Sequence, residues 1–402
     1  MAADEATDVS PTVPWRSATL YVILASSLIG VMGVSLVSPL LPELRRVFAV
    51  SDARIGLVMT AYTLPGVFLT PFVGLIADRI GRRRTIVPLL FVFGVGGAGI
   101  TLASSFTQLL ALRLLQGVGA SALVTLAITL VGDFYDGARQ NTVLGVNAST
   151  MEAGAAAYPL VGGVLATIRW NVPFLFFGTS VLVGLFAIAA LPEPEGRRST
   201  DVRTYLGRLR DAALDPRALV LFGTIFALFF VLYGAVMTAV PLLLSDEFGL
   251  SSGTIGLVVG MVSVSTAVVS WKYGWLSQRR SGPELIALGF GMVGASLLGV
   301  WLSSSAVAVG ASLLAFGVGF GIVMPSIDVT VMSLVSNRLR AGVMSLRTSV
   351  LRLGQTLGPV SFTYVAGTAF ASSTAGYRVL ILAVGLASLA SGLLAYPLVR
   401  RR

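Results

Sequence analysis

Apolar stretches long enough to cross a bilayer recur along nearly the whole chain, and no other feature limits its fold so strongly. Windows of the necessary length, about twenty residues, fall near 18–42, 55–77, 85–104, 107–131, 140–166 and 173–191. A polar stretch, 192–217, interrupts them, and further windows follow near 218–244, 253–276, 284–303, 306–334, 341–367 and 377–398. Inside a bilayer each backbone N–H and C=O needs an internal partner, which leaves helices or closed barrels. Segments this long and this evenly apolar are helices, because barrel strands are shorter and alternate. The expected fold is an all-α polytopic membrane protein with about twelve transmembrane helices. Of the 402 residues, 55% are hydrophobic and 11% charged, against about 25% charged in water-soluble domains.

A shift of 200 residues lays the chain on itself without gaps at several separate places. Ile55-Gly56-Leu57-Val58 returns as Ile255-Gly256-Leu257-Val258, and Gly74 and Arg79 return as Gly274 and Arg279. Gly117-Val118-Gly119 matches Gly317-Val318-Gly319, while Gly154 and Pro159 match Gly354 and Pro359. The constant offset implies two pseudo-symmetric six-helix bundles, 18–191 and 218–402, that enter the membrane from the same side. Parallel repeats of this kind place a substrate site near the bilayer midplane between the halves. Residues 1–17 form a polar tail in which no removable signal peptide is indicated. Within the linker 192–217, Val202, Tyr205, Leu206 and Leu209 recur at helical spacing among arginines. A solvated tether and a basic amphipathic helix on the headgroups both fit that pattern.

The formal net charge is +10, and Lys272 is the single lysine. Basic residues sit in short runs between the windows, not on one polar face, which excludes nucleic acid as the partner. With the N-terminus inside, twenty Arg and Lys face the cytoplasm, and only Arg45, Arg46, Arg54, Arg169 and Arg378 lie outside. The positive-inside rule then places both termini in the cytoplasm, in a multi-pass protein of the plasma membrane. There is no cysteine and no histidine, which removes disulfides, Cys/His metal sites and His-based catalysis. Any proton chemistry falls to carboxylates. No phosphate-binding loop or catalytic cluster is present, so neither an enzyme nor a cofactor is expected.

The loop after the second window reads Gly74-Leu75-Ile76-Ala77-Asp78-Arg79-Ile80-Gly81-Arg82-Arg83-Arg84. An Asp at a helix end can face another helix N-terminus, and Arg82 can pair with an acid across the loop. This run resembles the signature cytoplasmic loop of the major facilitator superfamily. Gly33, Pro39 and Pro42 look like the proline motif of its twelve-helix drug:proton antiporter branch, and Arg113, Gln116 and Gly117 like its intramembrane arginine motif. Asp133 is placed like the family's partner for the loop arginine, here Arg82. Gly145, Gly154, Pro159, Gly162 and Gly163 resemble the antiporter motif, although Tyr158 replaces a glycine that the second half keeps as Gly358-Pro359. The resemblance implies a cytoplasmic gate at Gly74, Asp78, Arg79, Gly81, Arg82 and Asp133. It implies helix packing at Gly33, Pro39, Pro42, Gly154, Pro159, Gly354, Gly358 and Pro359.

An ionisable side chain near the bilayer centre costs about 2.5 kcal/mol or more, so it needs a partner, a wet cavity or a function. Glu152 lies roughly a dozen residues from either end of its window and is a proton-coupling candidate, with Asp328 the next. Arg113, Arg352, Tyr158 and Tyr233 are substrate-cavity candidates. Arg352 stands one repeat after Glu152, and contact between the two is an open expectation. Arg347 is expected to snorkel to the inner surface. The reading is a secondary transporter that exports small amphipathic compounds against protons by alternating access, acting as a monomer. Transport of organic anions on the intramembrane arginines is a second reading. A non-transporting sensor on the same scaffold is a third.

Overall fold

The computed structural model describes residues 12–194, 216–333 and 340–400. The helix expected within 192–217 and the tail up to residue 11 lie outside the described residues. Among those described there is no strand. The long helices in chain order are α1 (Ala18–Val47), α2 (Leu57–Ile80), α3 (Arg82–Leu102), α4 (Phe106–Phe134), α5 (Gly137–Ile168) and α6 (Val172–Ala190). The second half continues with α7 (Ala218–Phe248), α8 (Ser252–Ser277), α9 (Gly282–Leu302), α10 (Ala306–Ser333), α11 (Arg340–Ala369) and α12 (Ser373–Arg400).

Among the described residues eleven helices are long and apolar enough to cross a membrane, one fewer than the windows suggested. The exception is α11, whose 30 residues are ample in length. Its shortfall is in apolarity: Arg347, Gln355, Thr356 and Thr363 are buried against other helices, so lipid does not select them.

Several helices are broken where the sequence removes a hydrogen bond. In α1 the α-helical part ends at Ser35, a 3-10 turn spans Ser38–Leu40, and the helix resumes over Leu41–Val47. Pro39 and Pro42 supply no N–H to the turns they enter. In α7 a π-helical stretch covers Leu232–Ala239, where the Thr238 hydroxyl donates to the Tyr233 carbonyl at 2.7 Å, five residues back. Such insertions widen a turn and re-aim its side chains.

Each half uses one packing plan. In the first, α1 packs on α5, α3 on α6, and both α2 and α3 on α4; in the second, α7 packs on α11, α9 on α12, and both α8 and α9 on α10. The halves meet through two seams, α5 against α8 and α11 against α2, which are the same contact with the halves exchanged. A Cβ at Gly56 would stand 2.6 Å from the Pro359 carbonyl oxygen, and one at Gly256 would overlap the Pro159 carbonyl. Thr60 donates to the Thr356 carbonyl at 2.8 Å, and Gly260 faces the Ala156 carbonyl in the same way. The two-hundred-residue repeat is thus a spatial two-fold.

Both seams are tight at the end of the bundle that carries Arg45. There Gly367 adjoins Ala53, Gly163 adjoins Ser252, and the Ser38 hydroxyl donates to the Met237 carbonyl at 2.7 Å. Toward the end that carries Arg82, Gly74, Gly145 and Gly274 have no described atom within 4 Å of a Cβ position. Among the described residues the seams are closed at the Arg45 end, and these three glycines face open space toward the other.

Candidate functional site between the halves

Arg113 is fully buried in α4. Its Nε donates to the Val58 carbonyl at 3.1 Å, Nη1 to Gln116 Oε1 at 2.8 Å, and Nη2 to the Gly33 carbonyl at 3.0 Å. The guanidinium also lies 4.4 Å from the centroid of the Tyr62 ring, a cation–π contact that offsets part of its lost hydration. Gly33 is required here because a Cβ would enter the Tyr62 ring. The proline-motif glycine and the intramembrane arginine therefore form one brace joining α1, α2 and α4. Arg113 sits in the core of its half in this conformation, with its hydrogen bonds taken by the protein.

Arg352 repeats the local pattern of Arg113 in a different setting. It lies on α11 with its stem against Gly66 of α2, whose Cβ position is 3.2 Å from the arginine Cδ. Its Nη1 donates to Gln355 Oε1 at 3.1 Å, as Arg113 does to Gln116. Gln355 in turn donates to the Tyr233 hydroxyl at 2.8 Å, where the π-helical stretch of α7 presents that ring. The Arg352 Nε is buried and has no hydrogen-bond partner among the described residues. No carboxylate pairs with it there.

Glu152 does not meet Arg352. It is half-buried on α5, without a hydrogen bond or ion pair among the described residues. The two-fold explains the separation: α5 lines one seam and α11 the other, so residues one repeat apart lie on opposite sides of the interface. Asp328 of α10 is paired instead with Arg347 of α11 at 2.6 Å. This overturns the snorkelling expectation, because Arg347 is buried and its charge is met inside the protein. Tyr158 is also buried, and its ring stands edge-on to Phe176 at 6.2 Å within the first half. At the equivalent place in the second half Gly358 lets α11 approach Gly234 of α7 at backbone distance. The tyrosine is therefore a spacer in one half where the other has close contact.

At the Arg82 end, Arg82 pairs with Asp78 at 2.6 Å and with Asp133 at 3.1 Å, so α2, α3 and α4 are tied together. Gly81 turns the chain between α2 and α3 with φ +109°, a conformation that favours glycine. The Glu193 carboxylate accepts from the backbone N–H groups of Arg83 and Arg84 at 3.2 and 3.3 Å, at the positive start of α3. Gly74 and Arg79 lie on the same surface, Arg79 exposed. All these contacts are internal to the first half.

Sequence reasoning missed the ion pairs at the opposite end. Arg45 of α1 donates to Asp246 of α7 at 2.9 and 2.5 Å and also to Asp52. Arg378 of α12 is held by Glu247 and by the Trp301 carbonyl at 2.6 Å. A signal was available, since a basic pair, Arg45-Arg46, ends the first window and an acidic pair, Asp246-Glu247, ends its repeat.

Residues 23–359 match the model of the Major Facilitator Superfamily. The chain is 23% identical to the bacillibactin exporter of Bacillus subtilis (strain 168) over 361 residues, covering 85% of this chain and 88% of that protein. It is 30% identical to the multidrug efflux protein YfmO of the same organism over 259 residues, 62% of each chain. Among solved structures, a bacterial homolog of the human lysosomal transporter Spinster, inward-facing and unoccupied, superposes with TM-score 0.80 at 16% identity, covering 96% of this chain and 97% of that one.

Proposed function

Because the chain belongs to the major facilitator superfamily, we propose that this membrane transporter exports small amphipathic compounds in exchange for protons. The Arg82 end, with its basic loops, is the cytoplasmic side by the positive-inside rule, and the described conformation is then open to the cytoplasm. Both termini lie in the cytoplasm, the membrane is the plasma membrane, and the working unit is a monomer. Asp78, Arg82 and Asp133 preshape the cytoplasmic gate that closes when the Arg45 end opens. Export as the direction rests on the likeness to an exporter and a multidrug efflux protein.

The observation that carries proton coupling is Glu152, a half-buried carboxyl in mid-span with no cation beside it among the described residues. A carboxylate so placed costs free energy that a proton removes. Opening toward water on either side changes that cost, so a rocking motion takes up a proton in one state and releases it in the other. The test is flux in proteoliposomes under an imposed pH gradient. Glu152→Gln is expected to abolish gradient-driven flux while substrate exchange persists, because Gln keeps the shape without titrating. Gradient-driven flux at the wild-type rate in that variant would reject Glu152 and leave Asp328 as the next candidate. Absence of any flux from the wild type would return the sensor reading.

A further inference from the structure

We infer that Arg352, together with Tyr233, forms an anion-binding subsite in the seam between the halves, and that the exported compounds include aromatic or amphipathic organic anions. The inference rests on the transport reading and names the substrate class of that same site.

The argument comes from comparing two arginines with the same local pattern. Arg113 and Arg352 each donate to a glutamine three residues on. At Arg113 the remaining nitrogens reach backbone carbonyls and the cation is capped by the Tyr62 ring. At Arg352 the glutamine is the single hydrogen-bond acceptor among the described residues, and the buried Nε has none. A guanidinium has five N–H donors, so one acceptor leaves most of them unspent at a desolvated charge, and an arriving ligand that accepts from the terminal nitrogens recovers part of that cost.

No carboxylate pairs with Arg352 among the described residues. Gln355 spends an N–H on the Tyr233 oxygen at 2.8 Å, which leaves the Tyr233 O–H proton free to donate. Arg347, also on α11, is already neutralised by Asp328. Glu152 belongs to the opposite seam and offers no countercharge. What remains is one positive charge with an N–H and an O–H near it, a set that matches carboxylate, phenolate or sulfonate oxygens. Gly66 keeps the α2 side of the arginine free of a side chain, and the Tyr233 ring offers a face to a planar body. An ammonium group would be repelled by the Arg352 charge.

The test measures binding to the purified full-length protein at pH 7.5 without any gradient, so its outcome is independent of proton coupling. The probes are benzoate, 2-naphthoate and 9-anthracenecarboxylate, each compared with its uncharged primary amide. At least one acid is expected to bind the wild type about tenfold more tightly than its amide, the value of one charge-assisted contact. Arg352→Gln should remove that preference by weakening the acid more than the amide, and Arg352→Lys should keep part of it. Tyr233→Phe should weaken the acid alone. Equal affinity of every acid and amide for the wild type would overturn the subsite without any variant being needed. So would a tenfold preference that survives in Arg352→Gln. Loss of gradient-driven flux in the wild type would instead sink the transport reading and leave this discrimination standing.

Discussion

Arg45 grips Asp246 with two prongs, its terminal nitrogens 2.9 and 2.5 Å from different carboxylate oxygens, and the two residues belong to different halves of the protein. A fork-to-fork contact of this kind fixes geometry as well as charge. It stands at the closed end of both seams, and the proposed alternating-access cycle would have to break it.

Removing that contact should therefore shift the balance of states. A partly exposed pair contributes up to about 1 kcal/mol, or about fivefold in a two-state equilibrium. The chain has no cysteine, so a single cysteine at Thr60 can report opening without background. Asp246→Asn should raise its labelling by an impermeant maleimide from the Arg45 side severalfold, and unchanged labelling would show that the pair does not hold the seam.

The glycines of the two seams should fail alike. At Gly56 an added methyl would press on the Pro359 carbonyl, and at Gly256 on the Pro159 carbonyl. Overpacking of this sort costs about 1–3 kcal/mol. Gly56→Ala and Gly256→Ala should each lower the melting temperature of the purified protein and open the Arg45 end. Gly274→Ala, with no described atom near its Cβ position, serves as the control and should melt with the wild type.

Asp328 and Arg347 make a prediction about stability. Arg347 is buried and Asp328 half-buried, so stranding the arginine costs less than it would in a fully buried pair, about 3–5 kcal/mol. Asp328→Asn should lower the melting temperature more than the double substitution Asp328→Asn with Arg347→Gln. Equal loss in the two would mean that Arg347 finds another partner or water.

Orientation and gate can be tested together. Cysteines introduced at Ser199 and at Thr107 should label from opposite faces of intact cells, Thr107 from outside. Labelling of Ser199 by an impermeant reagent on intact cells would reverse the assignment. Asp78→Asn should slow transport severalfold while binding affinity is retained, because it alters a state equilibrium and spares the pocket. Transport at the wild-type rate would remove Asp78 from the gate.

Much of the architecture was legible because bilayer physics acts on composition, and the two-hundred-residue shift survives in glycines and prolines that close contacts demand. The window that became α11 was read correctly as a helix, although its buried polar residues keep it below the apolarity of its neighbours. The site was legible only in part. Arg113, Glu152, Arg352 and Asp328 stood out because charge is rare in a span, but their partners did not. A repeat tells which residues are equivalent and says nothing about which face each other. Glu152 and Arg352 are equivalent, and for that reason the two-fold sends them to opposite seams. The ion pair of Arg347 with Asp328 joins two helices whose relative rotation no spacing reveals. The pair of Arg45 with Asp246 was nearer to hand, since opposite charges ended two equivalent helices.

That last feature also determines which halves can assemble. In two copies of the first half Arg45 would find no Asp246 across the seam, and in two copies of the second Asp246 would find no Arg45. The unlike combination alone supplies both partners. The protein is thus built as an obligate mixed pair on one chain. Exchanging either half for a duplicate of the other would remove this clasp from the Arg45 end.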